Sequence, residues 1–139
     1  MRTIHAKSFY HDGRGPSLLK VHLAPGSSHL LAVDFALPDA SKESGETHHL
    51  RFIRAQAYAF TPEEVENYEL TAVDWGSTDK GAMVSLGRSP WLMSFSQQHL
   101  TKCEHFKLMF YDEFLDVICE QVLVEPGLFQ PLKPVELHP

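Results

Sequence analysis

The chain of 139 residues has 12 basic and 18 acidic side chains, a formal net charge of −6, and 43% hydrophobic residues. This length and apolar fraction predict one globular domain and exclude a disordered chain. Lys and Arg are scattered singly, which argues against nucleic-acid binding. No stretch has the length and apolarity of a membrane span or a signal peptide, so we expect a cytoplasmic protein with no membrane partner.

Alternation of apolar and polar residues predicts a hairpin near the N-terminus. In residues 18–23, the side chains of Leu19, Val21 and Leu23 fall on one face, as the two-residue period of a strand requires. Residues 29–37 alternate in the same way after a Pro-Gly-Ser-Ser turn. The two segments therefore predict a pair of antiparallel strands.

One further strand is predicted on each side of this hairpin. Residues 4–10 indicate an edge strand that ends at a Gly- and Pro-containing turn. Residues 48–60 indicate one long strand, in which Arg54 and Gln56 interrupt the apolar face. That interruption predicts a bulge or partial burial.

Short helices are predicted where a capping residue precedes proline, at Thr61-Pro62 and at Ser89-Pro90, with a strand as the alternative at the second position. A Ser or Thr side chain caps the first free backbone N–H groups, and proline suits the first helical position. Between these helices, residues 70–75 and 82–86 predict another hairpin with a polar loop.

Residues 104–124 predict the hairpin at the centre of the core. We expect a turn at Asp112 and Glu113 that sets Tyr111 opposite Phe114. One face of this hairpin then carries six apolar side chains: Phe106, Leu108, Phe110, Leu115, Val117 and Cys119. The same register turns Cys119 away from Cys103, which predicts two free thiols.

These elements predict a mainly β fold, with antiparallel sheets of consecutive hairpins arranged as a sandwich or open barrel and one or two short helices. We assign residues 1–125 to a single β-rich domain. Residues 126–139 are proline-rich and are expected to form an extended C-terminal tail.

The open end of the core hairpin supplies the candidate metal ligands: His99, Cys103, His105 and Glu120. In the predicted register His105 lies opposite Glu120, and Cys103 points to the same face. Zinc accepts nitrogen, sulfur and oxygen ligands tetrahedrally, so zinc is the one cofactor that the sequence suggests. Cys103, His105 and Glu120 could also act as nucleophile, base and orienting group, respectively. The competing interpretation is a polar rim around a His–Glu pair, since no Cys-x-x-Cys pair is present.

The second face of the same hairpin supplies the candidate binding residues: Tyr111, Phe114, Asp116 and Ile118. This face mixes apolar and polar side chains, which indicates that a helix, the tail or another subunit covers part of it.

The first functional hypothesis is a small acidic binding or protein-interaction module that has no catalytic activity and can self-associate. It follows from the charge and from the absence of phosphate-loop, nucleophile-elbow, zincin and dinucleotide-binding sequences. One alternative is a metal-binding protein or enzyme that uses the four candidate ligands. Another is a small-ligand carrier with an apolar cavity between its sheets.

Overall fold

Nine strands lie in the part of the chain that a computed structural model describes, residues 2–3, 16–24, 30–37, 46–62 and 83–130. In chain order they are β1 (Arg2–Thr3), β2 (Ser17–Ala24), β3 (Leu30–Ala36), β4 (Thr47–Ile53), β5 (Ala57–Pro62), β6 (Met83–Ser85), β7 (Glu104–Met109), β8 (Glu113–Cys119) and β9 (Gln121–Pro126). One antiparallel sheet has the order β2-β3-β4-β9, and the other has the order β1-β6-β7-β8-β5. The predicted mainly β, antiparallel class is confirmed.

The inner faces of the two sheets share one apolar core. The four-stranded sheet contributes Leu31, Val33, Phe35, Leu50 and Phe52. The five-stranded sheet contributes Met83 together with the six side chains predicted to share one face of the core hairpin. The burial of these six confirms that part of the prediction.

The pairing predicted inside the core hairpin was wrong by two residues. Met109, not Tyr111, lies opposite Phe114, and Phe106 lies opposite Val117. The connection is longer than a two-residue turn, and the Phe110 N–H donates to the Glu113 carbonyl oxygen at 2.8 Å. A shift of two residues leaves every side chain on its original face, which is why the six core side chains were still assigned correctly.

The N-terminal hairpin pairs β2 with β3 as predicted, with Val21 opposite Val33. Its inner face differs from the prediction because the register shifts between Leu18 and Lys20. Leu18 packs against the core as a result, while Leu19 is exposed. Such a β-bulge adds one residue to a strand and turns the neighbouring side chain to the other face.

The predicted long strand over residues 48–60 is two strands in different sheets. β4 ends at Ile53, and Arg54 adopts a left-handed backbone conformation with φ 55°. The chain then enters β5, which pairs with β8 in the other sheet. The prediction of one strand was wrong, and the polar interruption at Arg54 and Gln56 marks the crossing between the sheets.

Two short helical turns precede β7. Helix α1 (Pro90–Met93) begins at the predicted Ser89-Pro90 sequence, and a 3-10 helix follows at Gln98–Lys102. Thr61 and Pro62 are the last residues of β5, and the helix predicted to follow them lies outside the described residues. No helix in the described ranges has the length and apolarity needed to cross a membrane.

Three other predictions fall outside the described residues. They are the edge strand over residues 4–10, the strand over residues 70–75, and the tail beyond residue 130.

Candidate functional site

Helix α1 and the turn after it carry large apolar side chains at the surface. Met93 is 59% exposed and Phe95 is 39% exposed, while Trp91 is partly exposed. The Trp91 and Phe95 rings meet edge to face, with centroids 6.1 Å apart. We call these three side chains the α1 ridge. Together they form a compact apolar and aromatic surface of the kind found at the centres of protein interfaces.

Both ends of the α1 ridge are fastened to the body of the protein. Leu92 and Leu100 are buried in a small cluster with Cys103 and Ile118. After α1, the Phe95 N–H donates to the Leu92 carbonyl oxygen at 3.2 Å and keeps the turn closed. The ridge therefore projects from a backbone that is held on both sides, which reduces the conformational entropy lost on binding.

A chain of hydrogen bonds joins the start of α1 to the core hairpin. Ser89 Oγ lies 2.6 Å from His105 Nδ1, and His105 Nε2 lies 2.6 Å from Asp116 Oδ1. Lys107 Nζ donates to Asp116 Oδ2 at 3.2 Å. We call these four side chains the buried polar network. They are between 0% and 6% exposed.

The tautomer of His105 with its proton on Nε2 fits every hydrogen bond of this network. Ser89 Oγ accepts from the Leu92 N–H at 3.1 Å, as the cap of α1. Its hydroxyl proton is then free to donate to Nδ1 of His105, and Nε2–H of the same ring donates to Asp116. The Lys107 ammonium balances the Asp116 carboxylate, so the network holds one compensated pair of charges rather than an isolated ion.

Aromatic rings enclose the two basic members of the network. The Trp91 ring lies edge-on to the His105 ring, with centroids 5.0 Å apart. Lys107 Nζ lies 5.0 Å from the centroid of the Phe114 ring, within the range of a cation–π interaction. Trp91 thus belongs both to the α1 ridge and to the wall of the network, so the network helps to orient the ridge.

The serine–histidine–aspartate order of the network also occurs in hydrolases, where the serine oxygen attacks a carbonyl carbon. In this protein the Ser89 oxygen caps α1, and the ring of His105 has no exposed surface. A substrate carbonyl therefore has no approach to Ser89 Oγ in this conformation. The arrangement is suited to holding α1 in place.

The structure separates His105 from Glu120. His105 pairs across the hairpin with Ile118, so the prediction that it lies opposite Glu120 was wrong. The cause is the two-residue difference in register. Both ring nitrogens of His105 are instead taken by Ser89 and Asp116.

Two of the other predicted metal ligands, His99 and Glu120, are paired with other side chains. His99 is exposed, and its Nε2 lies 3.0 Å from Gln56 Oε1. Glu120 pairs with Arg54, with Oε2 2.7 Å from Nε. Within the described ranges, no three or more His, Cys, Asp or Glu side chains are grouped so that they could hold a metal ion.

The two cysteines are free and buried. Burial raises the pKa of the Cys103 thiol above its usual 9.0, and the Glu120 carboxylate raises it further, against the lowering effect of Arg54 and Arg88. Burial also raises the pKa of Cys119, with Cys103 as the second cause. The thiolate is the nucleophilic form of cysteine, so these environments disfavour covalent catalysis.

The predicted binding residues divide between surface and interior. Tyr111 lies in the hairpin connection and is 47% exposed. Phe114, Asp116 and Ile118 are buried on the outer face of the five-stranded sheet. Ile118 packs there in the cluster beneath α1, and Asp116 belongs to the buried polar network. The four side chains therefore do not form one accessible surface.

A second polar cluster lies on the outer face of the four-stranded sheet. Asp34 Oδ1 accepts the Phe129 N–H at 2.7 Å, and its Oδ2 lies 2.8 Å from His22 Nε2. The Phe129 ring contacts His22 and His49, with centroid distances of 5.0 and 5.5 Å. His49 Nδ1 also lies 2.9 Å from the Gly127 carbonyl oxygen. We call the side chains of His22, Asp34, His49 and Phe129 the C-terminal latch.

Sequence reasoning did not identify Ser89 and Lys107 as partners in a network, or Met93 as part of an exposed surface. One signal was available, because His105, Lys107 and Asp116 occupy the same face of the hairpin by strand period. Three ionisable residues on a face that also carries Phe114 could have indicated a compensated buried group.

The chain matches no family model, and searches of curated proteins and of solved structures found no significant match.

Proposed function

We propose that the protein is a non-catalytic binding module that docks on another protein through the α1 ridge. The observation that carries this proposal is the contrast in burial along α1 and the turn after it. Met93 and Phe95 are exposed, whereas Leu92 just before them is 1% exposed and Leu100 beyond them is 6% exposed. Large apolar side chains held at the surface in a fixed geometry are more useful for binding than for folding.

The physical basis is the low cost of ordering this surface on association. Binding loses affinity when flexible side chains and loops must be immobilised, by about 0.5–1.5 kcal/mol for each such side chain. The cap at Ser89 and the anchors at Leu92 and Leu100 have already ordered the backbone of the ridge. Aromatic residues and methionine are also enriched at interface centres relative to the rest of a protein surface.

The proposed setting is the cytoplasm. Two free, buried thiols fit a reducing compartment. The net charge of −6 disfavours nucleic acid as a partner. Self-association through the ridge is an alternative outcome of the binding experiment, and sedimentation of the purified chain over a range of concentrations would detect it.

The test compares the wild-type chain with a Met93→Ser, Phe95→Ser double variant. The matched control is Leu19→Ser, Leu23→Ser, because these two leucines on β2 are also about half exposed, at 52% and 53%. Each protein is used to capture partners from extracts of the native cells, and a captured protein is then purified and titrated against all three chains.

We expect a partner that binds the wild type and the β2 control equally. The ridge variant should bind it at least about 30-fold more weakly, since truncating a central interface residue costs roughly 2 kcal/mol or more. The proposal fails if the ridge variant binds every captured protein as tightly as the wild type does, or if the wild type captures none.

A further inference from the structure

We propose that the occupant of the α1 ridge is an acidic protein segment that presents apolar side chains together with carboxylates. This inference rests on the docking role proposed above and names the chemistry of the partner. It comes from the charge around the ridge, which is opposite in sign to that of the whole chain. Residues 86–103 include Arg88, His99 and Lys102 but no Asp or Glu, although the chain has 18 acidic residues and a net charge of −6.

Two of the basic side chains, Arg88 and Lys102, flank the ridge in the chain. Arg88 Nη1 donates to the Leu100 carbonyl oxygen at 3.1 Å, which holds the guanidinium against the 3-10 helix. Arg54 and Arg88 both lie near enough to Cys103 to affect its pKa electrostatically. Arg88 Nη1 also lies 3.4 Å from the carbonyl oxygen of Thr101, the residue before the exposed Lys102, so the three cations lie around Cys103.

Carboxylates within the protein neutralise only part of this charge. Glu120 also acts on Cys103, and it forms an ion pair with Arg54. Among the described residues, Lys102 has no ion pair or hydrogen bond. Arg88 donates only to the backbone carbonyl oxygens of Leu100 and Thr101. Two cations therefore remain available beside an exposed apolar surface.

A partner with carboxylates around an apolar centre would complement both features. Apolar contact with Met93 and Phe95 would provide affinity, and pairing with Arg88 and Lys102 would provide orientation and a faster encounter. Nucleic acid fits less well, because each phosphate contact needs its own cation and the remaining surface is acidic.

The experiment uses a random peptide library displayed on phage and selected on the full-length chain. Selection on the Met93→Ser, Phe95→Ser variant in parallel removes peptides that bind elsewhere. We expect the enriched peptides to combine aromatic or branched apolar residues with several Asp or Glu. A consensus peptide is then synthesised with a fluorescent label and titrated by fluorescence anisotropy.

Charge variants of the full chain test the electrostatic part separately. Lys102→Glu should weaken binding of the consensus peptide by about 5-fold or more, since it reverses one charge at the rim of the interface. Lys20→Glu, an exposed lysine on β2, is the matched control and should leave the dissociation constant unchanged. Raising the salt concentration should weaken the wild-type complex and reduce the difference between the two variants.

The possible failures are distinguishable. Neutral or basic peptides that still require Met93 and Phe95 would overturn the acidic partner and leave the binding module standing. An absence of peptides that depend on the ridge would overturn both proposals. Binding of a labelled single-stranded RNA in preference to every selected peptide would also overturn the acidic partner.

Discussion

Nε2 of His105 lies 2.6 Å from Oδ1 of Asp116, and neither side chain has more than 1% of its surface in contact with solvent. The same carboxylate accepts a hydrogen bond from Lys107, which is also buried. One acidic side chain therefore connects a histidine that orients α1 to a lysine that is enclosed in the sheet. Its removal should affect two buried groups at once.

Asp116→Ala should be strongly destabilising. The variant leaves the Lys107 ammonium without its counter-charge and leaves Nε2–H of His105 without an acceptor. Breaking a buried ion pair from one side costs about 3–5 kcal/mol, which is a large part of the stability of a small domain. Urea denaturation followed by circular dichroism measures the change in the free energy of unfolding.

Two further variants check this interpretation of Asp116. Asp112→Ala removes an exposed carboxylate from the hairpin connection and should change stability by no more than about 0.5 kcal/mol. Lys107→Met combined with Asp116→Asn, which removes both charges, should recover part of the loss. If Asp116→Ala alone behaves like the exposed control, the network does not hold a compensated charge pair.

Ser89→Ala should loosen α1. The substitution removes the cap of the Leu92 N–H and the hydroxyl that donates to His105. Loss of such a cap costs about 0.5–2 kcal/mol. Amide hydrogen exchange should speed up at Leu92 more than in β4, which lies in the opposite sheet.

The neighbouring Ser96 supplies the control for the cap. Ser96 is exposed, so Ser96→Ala should leave both stability and exchange near the wild-type values. Equal exchange rates at Leu92 in the wild type and Ser89→Ala would contradict the role assigned to the cap. Stoichiometric labelling of Ser89 in the native protein by a serine-directed fluorophosphonate would contradict its burial.

The cysteines predict a loss of stability at alkaline pH. Burial raises the pKa of Cys103 and Cys119 above the usual value of 9.0. The unfolded chain therefore releases these protons at a lower pH than the folded chain, and the folded state binds more protons above about pH 9. The free energy of unfolding should decrease as the pH rises past that value.

A comparison of variants isolates the thiols from other groups that titrate at alkaline pH. The Cys103→Ala, Cys119→Ala double variant should show a shallower decrease in the free energy of unfolding between about pH 8.5 and about pH 10, an interval that includes the usual thiol pKa. The native thiols should also react with an alkylating reagent far more slowly than the same thiols in urea. Identical pH slopes for the two chains would show that the thiols ionise equally in the folded and unfolded states.

The sequence predicted side-chain faces better than it predicted pairings. Alternation in residues 104–124 placed Phe106, Leu108 and Val117 inside, because the period of a strand depends only on local backbone geometry. The pairing depended on the length of the connection after Phe110, where Asp-Glu has no strong turn preference. The passage of the chain from one sheet to the other at Arg54 was visible as an interruption of the apolar face. The sequence did not, however, distinguish a bulge from a change of sheet.

The candidate site was predicted less well because it depends on contacts between distant elements. Ser89 lies 16 residues from His105 in the chain, and their hydrogen bond exists only because α1 docks on the outer face of the sheet. The cap at Ser89-Pro90 was predictable from local chemistry, and the structure confirms it. The partner of His105 was not predictable, because the sequence does not specify which face of the sheet the helix covers.

The C-terminal latch predicts energetic coupling between residues at opposite ends of the chain. Phe129 contacts the ring of His22, and Asp34 holds both the His22 ring and the Phe129 N–H. Phe129→Ala and His22→Ala should each destabilise the protein. The double variant should lose less than the sum of the single losses, with a coupling energy of about 0.5–1.5 kcal/mol for the ring pair.

The control for this cycle pairs Leu128→Ala with His22→Ala. Leu128 is next to Phe129 but is 49% exposed, so these two substitutions should be additive within about 0.5 kcal/mol. Urea denaturation of the six chains at one pH gives both coupling energies. If the stability losses of Phe129→Ala and His22→Ala are additive, the contact between the two rings does not stabilise the segment after β9.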